Sequence, residues 1–259
     1  MFKQLDKIFH LLSLCFLSNL KCKFFYEEHY LSDRETILFL KKNPEIGIVR
    51  YGNSELGLIV GNSIKHQIYN KKLKNKLVYI CRSYNSISKE KFLLGLPLDA
   101  CTIDSTNTRK LDKKTWGKAV RYSINCLVKK DTTYVSPFCF RIANVVDDNL
   151  ENYISIVESL FTHREVIYIG PLQGKNPSIP DFITPVKVLK IPEKNAFTEF
   201  DTILLKIKNL CLNYDNPLVI VVGGVTATVL SYELNMSNIT CYDFGQFARQ
   251  YQSYKEKIN

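Results

Sequence analysis

The sequence predicts an α/β fold, a mostly parallel sheet with helices on both faces. Two observations carry this. From about residue 45, short β-branched and aliphatic runs alternate with longer stretches whose apolar residues recur at helical spacing, the pattern of strands joined by helical crossovers. The run Leu218-Val219-Ile220-Val221-Val222 is continuously apolar, as a strand covered on both faces must be, and passes through Gly223-Gly224 into a second apolar stretch.

Residues 46–51 read as a strand, because Ile46, Ile48, Val49 and Tyr51 suit a pleat. Residues 54–60 begin a helix, and the Lys/Leu-rich stretch 68–83 is predicted mostly helical. A short strand at 92–97 closes on Pro97, which cannot donate to a ladder. Trp116, Ala119, Val120, Ile124 and Leu127 keep helical spacing over 115–129, with Trp116 in the core. Strands follow at 133–136 and 166–170, separated by a helix over 152–161. A Gly/Pro/Ser loop at 174–180 leads to a strand at 186–191 and a helix at 201–211. After the 219–222 strand, Thr226 is expected to cap the next helix, and a last strand spans 239–243. No repeat or low-complexity linker interrupts, so 31–259 is expected to be one domain behind a helical segment at 1–30.

A chain of 259 residues can bury a large core in one domain, and 46% hydrophobic against 23% charged residues describes a folded globule. The net charge of +10 points to phosphate-bearing partners, on a nucleotide or on anionic lipid. Lys71-Lys72, Lys74 and Lys76 form the one dense knot, and without a nucleic-acid signature beside it no nucleic acid is expected as partner. The eight cysteines include no C-x-x-C pair and no Cys/His cluster, which predicts a reduced, cytoplasmic protein without structural zinc. Near the start, Lys3 and Lys7 precede an apolar run at 8–17, and Lys21 and Lys23 follow it. No small-x-small cleavage site follows, and the run is too short to span a bilayer. It suits either a helix packed on the domain or a basic amphipathic helix in peripheral contact with the inner face of the membrane.

Ligands of a parallel sheet collect at the carboxyl ends of its strands. Three loops are predicted there, after Tyr51, Gly170 and Val222. Gly223 and Gly224 allow a sharp turn and close approach to a ligand. A helix starting near Thr226 leaves N–H groups at a positive dipole end, where phosphate binds. Arg50-Tyr51-Gly52-Asn53-Ser54-Glu55 ends a strand in a base and starts a helix with a carboxylate. Arg50 can fork onto a phosphate, while Glu55 and the Asn53 amide offer oxygen ligands to magnesium or manganese. The same residues also compose a plain capped helix, with Asn53 as N-cap, Glu55 near the second position of a solvated first turn, and Arg50 in a surface ion pair. His66, beside Lys65 in a polar stretch, reads as a solvated residue.

Together, Arg50-Tyr51-Gly52-Asn53-Ser54-Glu55, Ile191-Pro192-Glu193-Lys194-Asn195-Ala196-Phe197 and Gly224-Val225-Thr226-Ala227-Thr228-Val229-Leu230-Ser231-Tyr232-Glu233-Leu234 resemble the GT-D-type glycosyltransferases of bacteria, formerly a domain of unknown function. The likeness covers roughly residues 35 to 250, with three motifs in the same order and at similar spacing; their combination, rather than any one of them, is specific. It implies a Rossmann-like sheet and a nucleoside diphosphate-sugar donor held with a Mn2+ or Mg2+ ion. Glu55 falls on the glutamate of the family's D-x-E motif, Arg50 on the preceding arginine, Asn195 on the asparagine of the middle motif, Thr226 and Thr228 on the threonines of the last. Gly223 and Gly224 are donor contacts by the turn that they form, and Arg141 is one because the family's comparable segment also carries a serine and an arginine. The resemblance makes Glu55, with Asn53, the metal site, while Glu55 and Asp243 are the candidate catalytic carboxylates by residue type. Asn53 and Gln246 can still hydrogen-bond the donor's sugar. The chain departs from the pattern at four places. Asn53 stands where the family has aspartate, Ser54 replaces a glycine, Gly224-Val225 replaces glycine–proline, and Gln246 follows Asp243-Phe244-Gly245 where a histidine is common.

The implied activity is transfer of a hexose-like sugar, from a donor expected to be a UDP-sugar, to a glycan acceptor on protein, lipid carrier or polysaccharide precursor. The cation is expected to bind weakly without nucleotide, because Asn53 brings no charge. The alternative is a catalytically degenerate nucleotide-sugar-binding or scaffold protein, favoured by Asn53 and Gln246. A Rossmann-type methyltransferase is disfavoured, since no glycine-rich loop follows an early strand at the required spacing.

Overall fold

The computed structural model describes residues 30–84, 86–97, 132–142, 150–171 and 179–258. The helix expected over 115–129, its Trp116, nearly all of the segment 1–30 and most of the 174–180 loop lie outside these residues. Eight strands form one sheet: β1 Tyr30–Leu31, β2 Gly47–Arg50, β3 Phe92–Gly95, β4 Tyr134–Val135, β5 Val166–Gly170, β6 Lys187–Lys190, β7 Leu218–Val221 and β8 Cys241–Asp243. Their order is β1-β4-β3-β2-β8-β7-β5-β6, and every ladder is parallel, so the expected mostly parallel sheet is wholly so among the described residues. The chain builds outward from β2 through β3 to β4, crosses to β5 and β6, and returns inward through β7 to β8. β2 and β8 therefore meet at the centre, where the connections diverge to opposite sides and a crevice opens.

The helices are α1 Asp33–Lys42, α2 Asn53–Ile59, α3 Lys71–Ser83, α4 Ser86–Lys89, α5 Leu150–Glu158, α6 Phe200–Cys211, α7 Val225–Met236 and α8 Phe247–Ile258. They lie on both faces, because the strands alternate. Val49, Val219 and Val221 join Leu56, Leu77, Ile203 and Val229 in one core layer. Ile48, Leu218 and Ile220 join Ile37, Leu40, Val157 and Phe247 in the other. Helix α7 is buried along most of its length, being packed on the central strands and also against α3 and α6.

Several boundaries differ from expectation for identifiable reasons. Helix α3 starts at Lys71 rather than 68, because the Asn70 side chain accepts from Leu73 N and caps it. Helix α7 is capped by Gly224, not Thr226, since only the glycine can take the φ of 55° and ψ of −139° found there. Helices α1 and α8 were not foreseen. Yet α1 opens on a capping box in which the Ser32 hydroxyl and the Glu35 carboxylate satisfy each other's backbone N–H, a signal present in the sequence. Among the described residues no helix is long and apolar enough to cross a membrane.

Candidate active site

Arg50 ends β2 and Asp243 ends the neighbouring β8, so the sheet itself delivers a base and an acid to one point. Arg50 Nη2 donates to Asp243 Oδ1 at 3.1 Å, and both residues are over nine-tenths buried. Arg50 Nη1 donates to Pro137 O at 2.8 Å, from the loop after β4, and the guanidinium lies 5.8 Å from the Phe140 ring centre. The expected surface ion pair is thus a buried one. The expected fork onto a phosphate is turned inward, since both terminal nitrogens already have partners. Nε is buried with no hydrogen-bond partner. Gly245, at φ 56°, lets the chain pass close over the guanidinium; a Cβ there would collide with Arg50 Nη2.

Glu55 stands at the third position of α2, which is capped by Gly52 rather than Asn53. Its Oε2 accepts from Gly52 N at 2.7 Å, the half of a capping box that needs no cap side chain. Far from solvated, Glu55 is 7% exposed. Burial, and then the nearby Asp243 carboxylate, push its pKa up to about 7. Asp243 is likewise raised by burial, against the pull of Arg50. Asn53 is exposed on the first turn.

Thr228, wholly buried in α7, joins the two acids. Its Oγ1 lies 3.4 Å from Glu55 Oε1, 3.4 Å from Asp243 Oδ2 and 3.1 Å from Arg50 O. One hydroxyl proton cannot serve three acceptors, and two carboxyl groups face one guanidinium, so ionising both leaves the cluster short of positive charge. Two residues earlier, Thr226 is also buried. The start of α7 receives no side-chain cap; Ala227 N donates to Gly224 O at 3.0 Å, so the donors of the first turn that can meet a ligand are the N–H groups of Val225 and Thr226. Gly224, exposed there with open space beside its Cα, and Gly223, packed on Ile191, form the approach.

The remaining candidates divide. Gln246 is exposed in the turn between β8 and α8. Arg141 is half-buried after β4, its guanidinium 4.7 Å from the Phe138 ring centre. Asn195 adopts left-handed backbone (φ 54°) and clasps another loop: its N–H donates to His66 O at 2.8 Å and its Oδ1 accepts from Ile68 N at 2.8 Å. His66 itself is exposed, as expected. Sequence reasoning missed Pro137, which anchors Arg50 through a carbonyl that no motif could reveal.

Residues 48–259 match the family described as Glycosyltransferase GT-D fold. The chain belongs to that family. It is 22% identical over 217 residues to the Streptococcus gordonii protein called "Probable glycosyl transferase Gly", covering 79% of this chain and 30% of that protein. The chain thus spans about 30% of the length of this curated relative. Among solved structures it is similar to "A New Glycosyltransferase (DUF1792) from Streptococcus sanguinis", with a TM-score of 0.76, 20% identity, and coverage of 88% of this chain and 85% of that one. A second, described as "The highly conserved domain of unknown function 1792 has a distinct glycosyltransferase fold", gives a TM-score of 0.74 at 25% identity, covering 94% and 86%. The GT-D match begins within β2 and so takes in all three motifs, of which the first and the last meet in the cluster.

Proposed function

We propose that this GT-D protein transfers a hexose-like sugar from a nucleoside diphosphate donor, a UDP-sugar by preference, to a glycan acceptor. The observation that carries the proposal is the meeting of Glu55 and Arg50 from the first motif, Thr228 from the last, and Asp243 at the end of β8, beside a start of α7 that no side chain caps. The Val225 and Thr226 N–H groups suit the diphosphate, and Gly223-Gly224 lets it approach. Arg50, held from two sides, acts as a fixed positive charge beneath the site rather than as a clasping finger.

The cluster's donors fit a divalent cation only in part. Glu55 Oε1 and the Asn53 amide are hard oxygen ligands, but Glu55 Oε2 is engaged by Gly52 N. Among the described residues no three His, Cys, Asp or Glu side chains group as a metal site. Mn2+ or Mg2+ would therefore be shared between Glu55, Asn53 and the donor's own phosphates. When bound, such an ion supplies charge neutralisation to the departing diphosphate. Burial brings the pKa of Glu55 up to about 7, so that positive charge bound beside it would favour its carboxylate form.

The experiment is incubation of the chain with radiolabelled UDP-glucose and related UDP-sugars, with and without manganese, reading released UDP and transferred label. Manganese-dependent hydrolysis or transfer supports the proposal; binding of the donor with neither product supports the non-catalytic alternative, which the neutral, exposed Asn53 and Gln246 favour.

A further inference from the structure

Between Glu55 and Glu90 the sequence holds seven Lys/Arg and no Asp/Glu. Two of these lysines are matched from elsewhere, Lys72 by Asp201 at 3.2 Å and Lys76 by Glu233 at 2.7 Å. Lys65, Lys71 and Arg82 are exposed and make no salt bridge among the described residues. In α3, Lys71, Asn75, Tyr79 and Arg82 follow the spacing of one stripe, and all four face solvent. Tyr79 is 61% exposed.

The turn before α3 inverts the usual distribution of polarity. Gln67 is buried, whereas Ile68 is 65% and Tyr69 37% exposed. This exposure is held in place. Ile64 and Gln67 exchange backbone hydrogen bonds, Tyr69 N donates to Ser63 Oγ, and Asn195 grips both His66 O and Ile68 N. An ordered turn that presents an isoleucine and a tyrosine beside unpaired lysines is a preformed contact surface. Because Asn195 follows β6 and α3 starts beside α6, with Lys72 tied to Asp201, the turn and the first residues of α3 lie at the carboxyl edge of the sheet, the edge that carries the Arg50–Asp243 cluster. From there α3 runs back along the flank of the sheet, so that Tyr84, just past its end, meets Phe92 at the start of β3.

We propose that the turn 61–70 and the outward stripe of α3 dock on an anionic lipid surface, which lays this flank of the sheet on the surface and brings the crevice close beside acceptors borne on it. Positive charge without a matching acid is attracted to anionic headgroups, and tyrosine with an aliphatic side chain suits the headgroup–acyl boundary. A soluble polyanion would use the lysines but gain nothing from Ile68. The proposal concerns a different surface from the basic segment near the start of the chain and does not depend on catalysis.

The test is flotation of the full chain with vesicles of phosphatidylcholine, alone or mixed with phosphatidylglycerol. Lys65→Glu/Lys71→Glu/Arg82→Glu and Ile68→Ser/Tyr69→Ser are run in parallel, with circular dichroism to verify folding. Binding to the anionic vesicles alone, weakened about tenfold or more by each set of substitutions, is the expected result. Binding that survives both sets places the contact elsewhere and overturns the proposal, as does absence of binding. Binding lost only with the charges, and equally displaced by soluble heparin, makes the partner a polyanion and also overturns it.

Discussion

Arg50 Nη2 and Asp243 Oδ1 lie 3.1 Å apart although 193 positions separate the residues in sequence, because each is the last residue of one of two adjacent parallel strands. Breaking a buried pair leaves an uncompensated charge, at a cost of about 3–5 kcal/mol. Arg50→Ala is expected to lower stability by that amount in urea titration. Arg50→Lys should fall between the two, because one ammonium lacks the planar fork that reaches Pro137 O and Asp243 together. An alanine variant as stable as the parent would show that water reaches the pair.

Glu55 makes stability depend on pH. Folded, it keeps its proton until about pH 7; unfolded, it gives the proton up near its ordinary 4.5. Between these values the folded state binds more protons, so stability falls as pH rises, and the penalty is complete above pH 7. Asp243 shifts in the same direction. Glu55→Gln should flatten this slope, raising the melting temperature at pH 8 relative to the parent more than at pH 5. Under the proposed function the same variant loses transfer. Thermal melts at both pH values with turnover on one preparation check the pair of outcomes, and full activity in the variant would remove Glu55 from the cation site.

Asn53→Asp adds a negative ligand on the first turn of α2. With UDP present, manganese affinity measured by calorimetry should rise, on the order of tenfold. Unchanged affinity means that position 53 does not face the cation.

Asn195 holds the 64–69 turn through an acceptor oxygen. Asn195→Asp keeps that acceptor and tolerates the left-handed backbone, whereas Asn195→Ala loses both. Amide exchange at Ile68 should stay slow in the aspartate variant and quicken in the alanine one. If Asn195 instead touched the donor's phosphates, the added charge would weaken UDP binding in the aspartate variant more than truncation does.

The alternation of strands and helices was legible because it is local. Residues 166–170 match β5 to the residue, since a run covered on both faces has one composition. The capping box of α1 was equally local and went unread. The site was legible only as separate motifs, of which the first and the last, with Asp243, compose the cluster. That Thr228 rather than Thr226 reaches the acids follows from the turn of α7 that faces β2 and β8, a matter of packing. Asn195 carries the motif but serves a neighbouring loop, which no spacing discloses.

The sequence by itself determined the class of sheet, the order of the motifs and the family, because periodicity and short signatures survive without knowledge of partners. Only the tertiary structure decided that Arg50 faces inward, that Glu55 is buried with a raised proton affinity, and that Gly224 makes the cap. Those are properties of the field and the space around a side chain, and both are made by residues far away in the chain.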